Sequence, residues 1–330
     1  IDAFSGSHPA FAATITVQSG VAISSNGVCS LREAVINANN DAATHANCAA
    51  GAGDDIIVLP AGTYTLSDAI AANEDFSVSG DVDIRSNITL TGAGMTTTVL
   101  DGNNSDRILQ VVSGVVTLNH LTIRNGRSPN GTNATGNCTS DPCIGSDGNP
   151  GAPGGGILNA GNLTLNQVTV SNNRTGNGGN AGSISCSAGS CNNSGGAGGA
   201  GAGVHSSGTS LIANNSVLTN NQTGAGGAAG AVLSCIGGAM CNSFTGNRGS
   251  GGGANQPNAG TLTFNNCLFA NNISFGGGAI SASGTFNFSN GLIRDNQAFL
   301  LGGGGIQFSG AGNKSIVNST ISGNIATGSG

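Results

Sequence analysis

The feature that most constrains this chain is a repeat. An apolar anchor followed three residues later by asparagine recurs as Val170 with Asn173, Leu218 with Asn221, Phe269 with Asn272, Ile293 with Asn296 and Ile321 with Asn324. Leu100 with Asn103 falls in the same column, as does Ile123 with Gly126 in the asparagine place. The unit is about 24 residues, and the longer intervals hold one unit plus an insertion of similar size. Self-similarity on that scale marks a solenoid, in which each unit buries its apolar face only against its neighbours.

Inside each unit the apolar residues alternate, which is the signature of a strand. Seven and five residues before the anchors stand Val116 and Leu118, Leu163 and Leu165, Leu211 and Ala213, Leu262 and Phe264, and Phe286 and Phe288. An asparagine corner follows these pairs at Asn119, Asn166, Asn214, Asn265, Asn290 and Asn318. Rungs stacked about 4.8 Å apart place like residues over like. The column Asn173, Asn221, Asn272, Asn296 and Asn324 is therefore predicted to form a ladder, because an inward amide is satisfied only by an identical one above and below it. Glycine runs at 154–156, 251–253, 276–278 and 302–305 supply the bends. The expected fold is all-β, a right-handed parallel β-helix of about eight coils.

Composition excludes several alternatives. Charged residues are 7% of the chain and the net charge is −6, so no basic stripe for nucleic acid can be assembled. The 59 glycines follow no G-X-Y period, which excludes collagen. No apolar run reaches the length of a membrane span. The first residue is isoleucine, so the chain reads as a processed product or fragment with any secretion signal already removed.

Three long intervals hold glycine-rich insertions near 126–153, 174–200 and 224–250, each with a close cysteine pair. Thiol pairs recurring in successive loops, without zinc-type spacing or nearby histidine, predict local disulfides in an oxidising compartment. The expected bonds are Cys138–Cys143, Cys186–Cys191, Cys235–Cys241 and Cys29–Cys48, with Cys267 left over as a buried free thiol in an inward column. Residues 1–28 read as an N-terminal extension or strand arm, 29–53 as a capping-helix region, and 54–330 as the β-helix. Ser30 to Glu33 has the capping-box spacing and opens an amphipathic segment through Asn40, suited to covering the first coil.

Residues 29–40 (CSLREAVINANN), 54–66 (DDIIVLPAGTYTL), 72–84 (ANEDFSVSGDVDI) and 88–94 (ITLTGAG) resemble the N-terminal region of CSLREA-domain secreted bacterial proteins. The later GGGI, GGAI and FANN elements at 154–157, 277–280 and 269–272 resemble the repeats of chlamydial polymorphic outer membrane proteins. The resemblance implies a surface or secreted β-helix.

Candidate chemistry is confined to the first third. From Gly148 onward Asp295 is the only carboxylate. The acids Glu74, Asp75, Asp81, Asp83, Asp101 and Asp106 fall near Arg85, Arg107 and Arg124. Alternation with Val82 and Ile84 turns Asp81 and Asp83 outward, so Asp75, Asp81 and Asp83 are candidate ligands for calcium, the one candidate cofactor. The competing reading is a solvated, salt-bridged face. Histidines 8, 45, 120 and 205 are scattered and read as structural. Sequons such as 87–89 and 133–135 make attached glycans candidate partners.

With no catalytic residues assigned, the expectation is a non-catalytic extracellular structural protein. It would be a cell-surface fibre subunit, self-associating head to tail as its N-terminal arm completes the open last coil of a neighbour. The alternatives are a surface adhesin or glycan-binding β-helix, though Tyr64 is the one tyrosine and tryptophan is absent, and a calcium-dependent polysaccharide lyase-like enzyme.

Overall fold

The computed structural model describes residues 11–24, 27–67, 74–139, 146–299 and 302–328. The chain is a parallel β-helix. Its first sheet stacks Thr14–Thr16, Asp55–Leu59, Ile88–Gly92, Val115–Arg124, Asn162–Ser171, Ser210–Asn214, Thr261–Asn265, Thr285–Ser289 and Lys314–Val317 in order. A second sheet runs through Val82–Ile84, Leu109–Val111, Ile157–Asn159, Val204–Ser206, Ala254–Gln256, Ile280–Ala282 and Ile306–Phe308. All pairings are parallel, as a coil returning to the same height requires.

The alternating pairs of the repeat all point inward: Val116, Leu118, Leu163, Leu165, Leu211, Ala213, Leu262, Phe264, Phe286 and Phe288 are buried. In the later coils Phe264 meets Phe269 edge-on at 4.9 Å between ring centroids, and Phe286 and Phe288 join them. Burying a ring of that size stabilises by roughly 1.5–3 kcal/mol. Cys267 is a free thiol in the same core, and burial pushes its pKa up to about 11.

Each coil turns its corners through left-handed residues. One column is His120, Gln167, Asn215, Asn266, Asn290 and Asn318, and the next is Asn125, Asn172, Asn220, Asn271 and Asp295. Asparagine tolerates this conformation better than most residues. Asn290 and Asn318 therefore belong to the corner, not to the half-buried column ending at Asn265, where Ser289 takes the next place.

Inside the second corner runs the buried ladder. Nδ2 of Asn173 donates to Oδ1 of Asn221 (3.0 Å), and the pattern repeats from Asn221 to Asn272 (3.1 Å), Asn272 to Asn296 (2.9 Å) and Asn296 to Asn324 (2.8 Å). Each Oδ1 also accepts the backbone N–H of the asparagine before it. A second, half-exposed ladder links Asn119, Asn166, Asn214 and Asn265.

The helix Leu31–Asn40 closes the first coil, with both bonds of its capping box formed and Asp41 ending it in the left-handed conformation. It buries Leu31, Ala34, Val35 and Ala38, and a Cys29–Cys48 disulfide ties its start to the segment beyond it. Strand Thr14–Thr16 pairs in register with the chain's own Asp55–Leu59, Ile15 opposite Ile57, and Ile15 is fully buried. This corrects the expected fibre-joining arm: its alternating strand is already used to finish its own first sheet. Residues 1–10 lie outside the described residues.

The insertions are not loops but a packed second body. Outgoing and returning arms lie side by side and bond through backbone groups, as in Gly131 N–H to Asn177 O (2.7 Å), Gly178 N–H to Ala225 O (2.9 Å) and Gly196 N–H to Gly179 O (2.8 Å). Here glycine does carry a three-residue period, at Gly176, Gly179 and Gly182 and again at Gly224, Gly227 and Gly230. A methyl at any of these six would strike a backbone carbonyl of the preceding arm, the same constraint that reserves the crowded axis of collagen for glycine. At the tips, Ile184–Cys186 pairs with Val232–Cys235 and Ser190–Ser194 with Met240–Phe244. Disulfides Cys186–Cys191 and Cys235–Cys241 close them. Cys138 is also disulfide-bonded; its expected partner Cys143 lies outside the described residues. Among the described residues no helix is long and apolar enough to cross a membrane.

Replacing Asn272 by Ala strands the Asn221 amide and the Leu218 carbonyl inside the coil. It is expected to cost about 3 kcal/mol or more in urea unfolding, whereas Asn265→Ala in the half-exposed ladder costs under about 1 kcal/mol. Gly227→Ala is expected to destabilise by more than the roughly 1 kcal/mol typical of a point substitution, and to expose the insertion arms to limited proteolysis while leaving the β-helix intact.

Candidate functional site

The second sheet carries the site. In Val82–Ile84, Leu109–Val111 and Val204–Ser206 the flanking residues are buried inside the coil, so the middle residue of each strand faces out. Register then stacks Asp83, Gln110, Leu158, His205, Asn255, Ser281 and Gln307 into one outward file. Left-handed glycines precede these strands at Gly154, Gly201, Gly251 and Gly277. A Cβ at Gly201 or Gly251 would press to 2.8 Å on the Cβ of His205 or Asn255, so the glycines also leave room beside the file.

At its N-terminal end the file is covered. Arg32 reaches from the helix to the carbonyls of Ser77 (3.0 Å), Asp81 (2.9 Å) and Gly80, and Asn39 donates to the Asp83 carbonyl (2.7 Å). Glu74 accepts the amides of Phe76, Val78 and Ser79, which shapes the covering segment. Asp83 is completely buried beneath it. Its Oδ2 accepts from Ser77 N–H (2.8 Å), and its Oδ1 has no partner.

Beside Asp83 runs a continuous polar chain. Gln110 donates to Asp75 (2.6 Å) and accepts from Arg107, which pairs with Asp81 at 2.7 Å and donates to the Gly154 carbonyl (3.0 Å). Asp75 is exposed at one end, while Arg107 and Asp81 are buried at the other. Burial raises the Asp81 carboxyl against the pull of Arg107. Burial first, and then the negative charge of Asp81, push Asp83 up to about 7 and Asp106 up to about 6.

Further along the file His205 is half-buried, its Nδ1 3.0 Å from the Asn255 amide nitrogen. Burial, reinforced by the positive charge of Arg107, holds the ring down at about 4. It is neutral at physiological pH. With Asn255 as donor, the ring proton sits on Nε2.

Asp81 and Asp83 do point away from the core, as their alternation predicts, but toward the covering segment and not toward solvent. The three calcium candidates each bond a different protein group: Asp75 holds Gln110, Asp81 holds Arg107 and Asp83 holds Ser77. Among the described residues no three His, Cys, Asp or Glu side chains are arranged to hold a metal ion. Asp101 stands apart, pairing Arg124 at 2.8 Å and accepting from Asn125. His205 and Gln110 were not singled out as functional, and their signal was available. They occupy the middle position of the short strand in every coil, two or three residues after the glycine run in the later ones, where Leu158, Asn255, Ser281 and Gln307 also stand.

No family model and no curated protein matches the chain. Two solved structures are similar. One is the mannuronan C-5 epimerase AlgE4 A-module of Azotobacter vinelandii, at 16% identity and a TM-score of 0.28, covering 92% of this chain and 97% of that one. The other is ORF18 of Geobacillus virus E2, at 14% identity and a TM-score of 0.19, covering 81% of this chain and 52% of that one. The expectation of a non-catalytic fibre subunit is corrected. The joining strand is consumed within its own coil, and the second sheet and its flanks carry buried acids, an arginine and a neutral histidine.

Asp83 has a pKa raised by folding, so its contribution to stability is complete below the unfolded value of 3.8 and is lost as pH rises toward about 7. Stability measured from pH 4 to 7 is therefore expected to fall less steeply in Asp83→Asn than in the parent chain. Parallel curves would show that Asp83 is ionised throughout.

Proposed function

We propose that the protein is a secreted β-helix that acts on an acidic polysaccharide, laid along the outward file of the second sheet. The observation that carries the reading is His205, a neutral imidazole in the file, held by Asn255 and set near the Arg107 charge. An imidazole that stays neutral near neutral pH has a lone pair free to take a proton, as a weaker base than one titrating near 7. Rotation of the Asn255 amide to offer its oxygen to Nδ1–H frees Nε2 as the accepting atom. The reaction class that fits is removal of the proton next to a uronate carboxylate. His205 takes the proton, the Gln110 amide and the Arg107 charge favour the negative charge left on the sugar, and that charge is discharged either by expelling the neighbouring glycosidic oxygen, which leaves an unsaturated end, or by regaining a proton on the opposite face, which inverts the configuration. Asp75, exposed beside Gln110, contributes a hydrogen-bond acceptor for sugar hydroxyls.

Secretion is supported by the disulfides, which belong to an oxidising compartment. The resemblance of residues 29–40 to secreted CSLREA-domain proteins points the same way.

The test is incubation with polymannuronate and polygalacturonate, following unsaturated ends by absorbance and sugar configuration by NMR. Turnover is expected, with His205→Gln slowing it about 10²–10⁴-fold. The pH profile of the parent should drop on the acid side near 4, where His205 takes up its proton. Absence of turnover on both polymers, or turnover indifferent to His205, overturns the reading.

A further inference from the structure

The nine basic side chains of the sequence are not spread evenly. Arg107, Arg124 and Arg294 pair with carboxylates, Arg32 and Lys314 donate to backbone carbonyls, and Arg85 lies over the Phe76 ring. The remaining three, Arg127, Arg174 and Arg248, line one cavity of about 170 Å³ where the insertion arms leave the coil.

The fold forces this convergence. Arg127, Arg174 and Gln222 occupy the same position of successive coils and pair by parallel bridges, so their backbones stand about 4.8 Å apart. Arg248 arrives from the returning arm of the third insertion, anchored by a 2.8 Å bond from its guanidinium to the Thr223 carbonyl and seated over the Phe299 ring. Burial, and then the charge of Arg174, lower its pKa. Asn177 and Thr175 complete the polar wall, and among the described residues no carboxylate lines the cavity. Among the described residues no protein acceptor meets the guanidinium of Arg127 or Arg174. Like charges brought together without a counter-ion repel, and guanidinium forks are the groups that bind planar or tetrahedral oxyanions through paired hydrogen bonds.

We infer that this cavity is an oxyanion-binding site, taking a single sulfate, phosphate or carboxylate group presented free or on an acidic sugar. Its volume, several times the roughly 30 Å³ share of one water, admits such a group. A sugar chain bearing the group would run outside, over the exposed Arg127 and Arg174. The site lies on a different strand column from His205 and stands independently of the activity proposed above.

The experiment is titration calorimetry and thermal unfolding of the full chain with sodium sulfate, sodium phosphate and a sulfated or uronate oligosaccharide, at constant ionic strength held with sodium chloride. Saturable binding and a rise in melting temperature are expected. Arg174→Gln and Arg127→Gln should each weaken binding about tenfold or more, the scale of losing a charge-assisted pair. Both residues are exposed, so these variants should fold, which circular dichroism checks; Arg248→Gln is the second-line variant. Saturation by the inorganic anions alone assigns the site to a free oxyanion, and tighter binding of the charged oligosaccharide than of its neutral counterpart assigns it to an acidic glycan. Equal effects of chloride and sulfate, or unchanged affinity in both exposed variants, overturn the inference. Arg174→Gln should leave any His205-dependent turnover intact, so either proposal can fail alone.

Discussion

Every coil of this molecule must return to the same height and phase as the one below it, because parallel strands pair residue for residue with their neighbours. The buried asparagines enforce that condition chemically. Each amide donates to the next coil and accepts a backbone N–H from the one before, so a coil one residue out of phase would leave both groups unpaired in a dry interior, at a cost of about 1–3 kcal/mol each. Left-handed corners, inward apolar pairs and glycine bends all follow from holding that phase.

The same stacking makes surfaces by multiplication. One outward position, repeated, becomes a file. On the second sheet it brings Gln110 and His205 into a column although 94 positions separate them by number in the chain. On the opposite flank of each insertion root it brings Arg127 over Arg174. A chain with so few charges can concentrate them in this way without any local run of like charge.

Much of the architecture was legible because the period-two pairs and the asparagine anchors are regular. The inward set from Val116 to Phe288, the buried ladder and the capping box of the helix all follow from spacing. What spacing could not give was cover. Alternation assigns Asp83 to the outside, yet nothing in its own strand says that Arg32 and the 74–81 segment will fold over it. The insertions misled for a related reason. Their glycines keep a three-residue rhythm only over short arms, too brief to register against the whole chain, and its meaning appears only when the arms are side by side. His205 stands alone in its own stretch of chain because its neighbours in space are whole coils away in sequence.

The glycine arms have one more consequence, which concerns how such a protein can change length. Each arm bonds to its neighbours at every third residue, so an arm is measured in triplets. Adding or deleting one or two residues would bring side chains where only hydrogen atoms fit, whereas adding three extends the lattice by one step. A single arm cannot grow alone either, since its new step would have nothing beside it. Length variation in these insertions is thereby quantised and shared: the three would lengthen or shorten together, in threes, with their disulfide tips carried outward or inward as a unit.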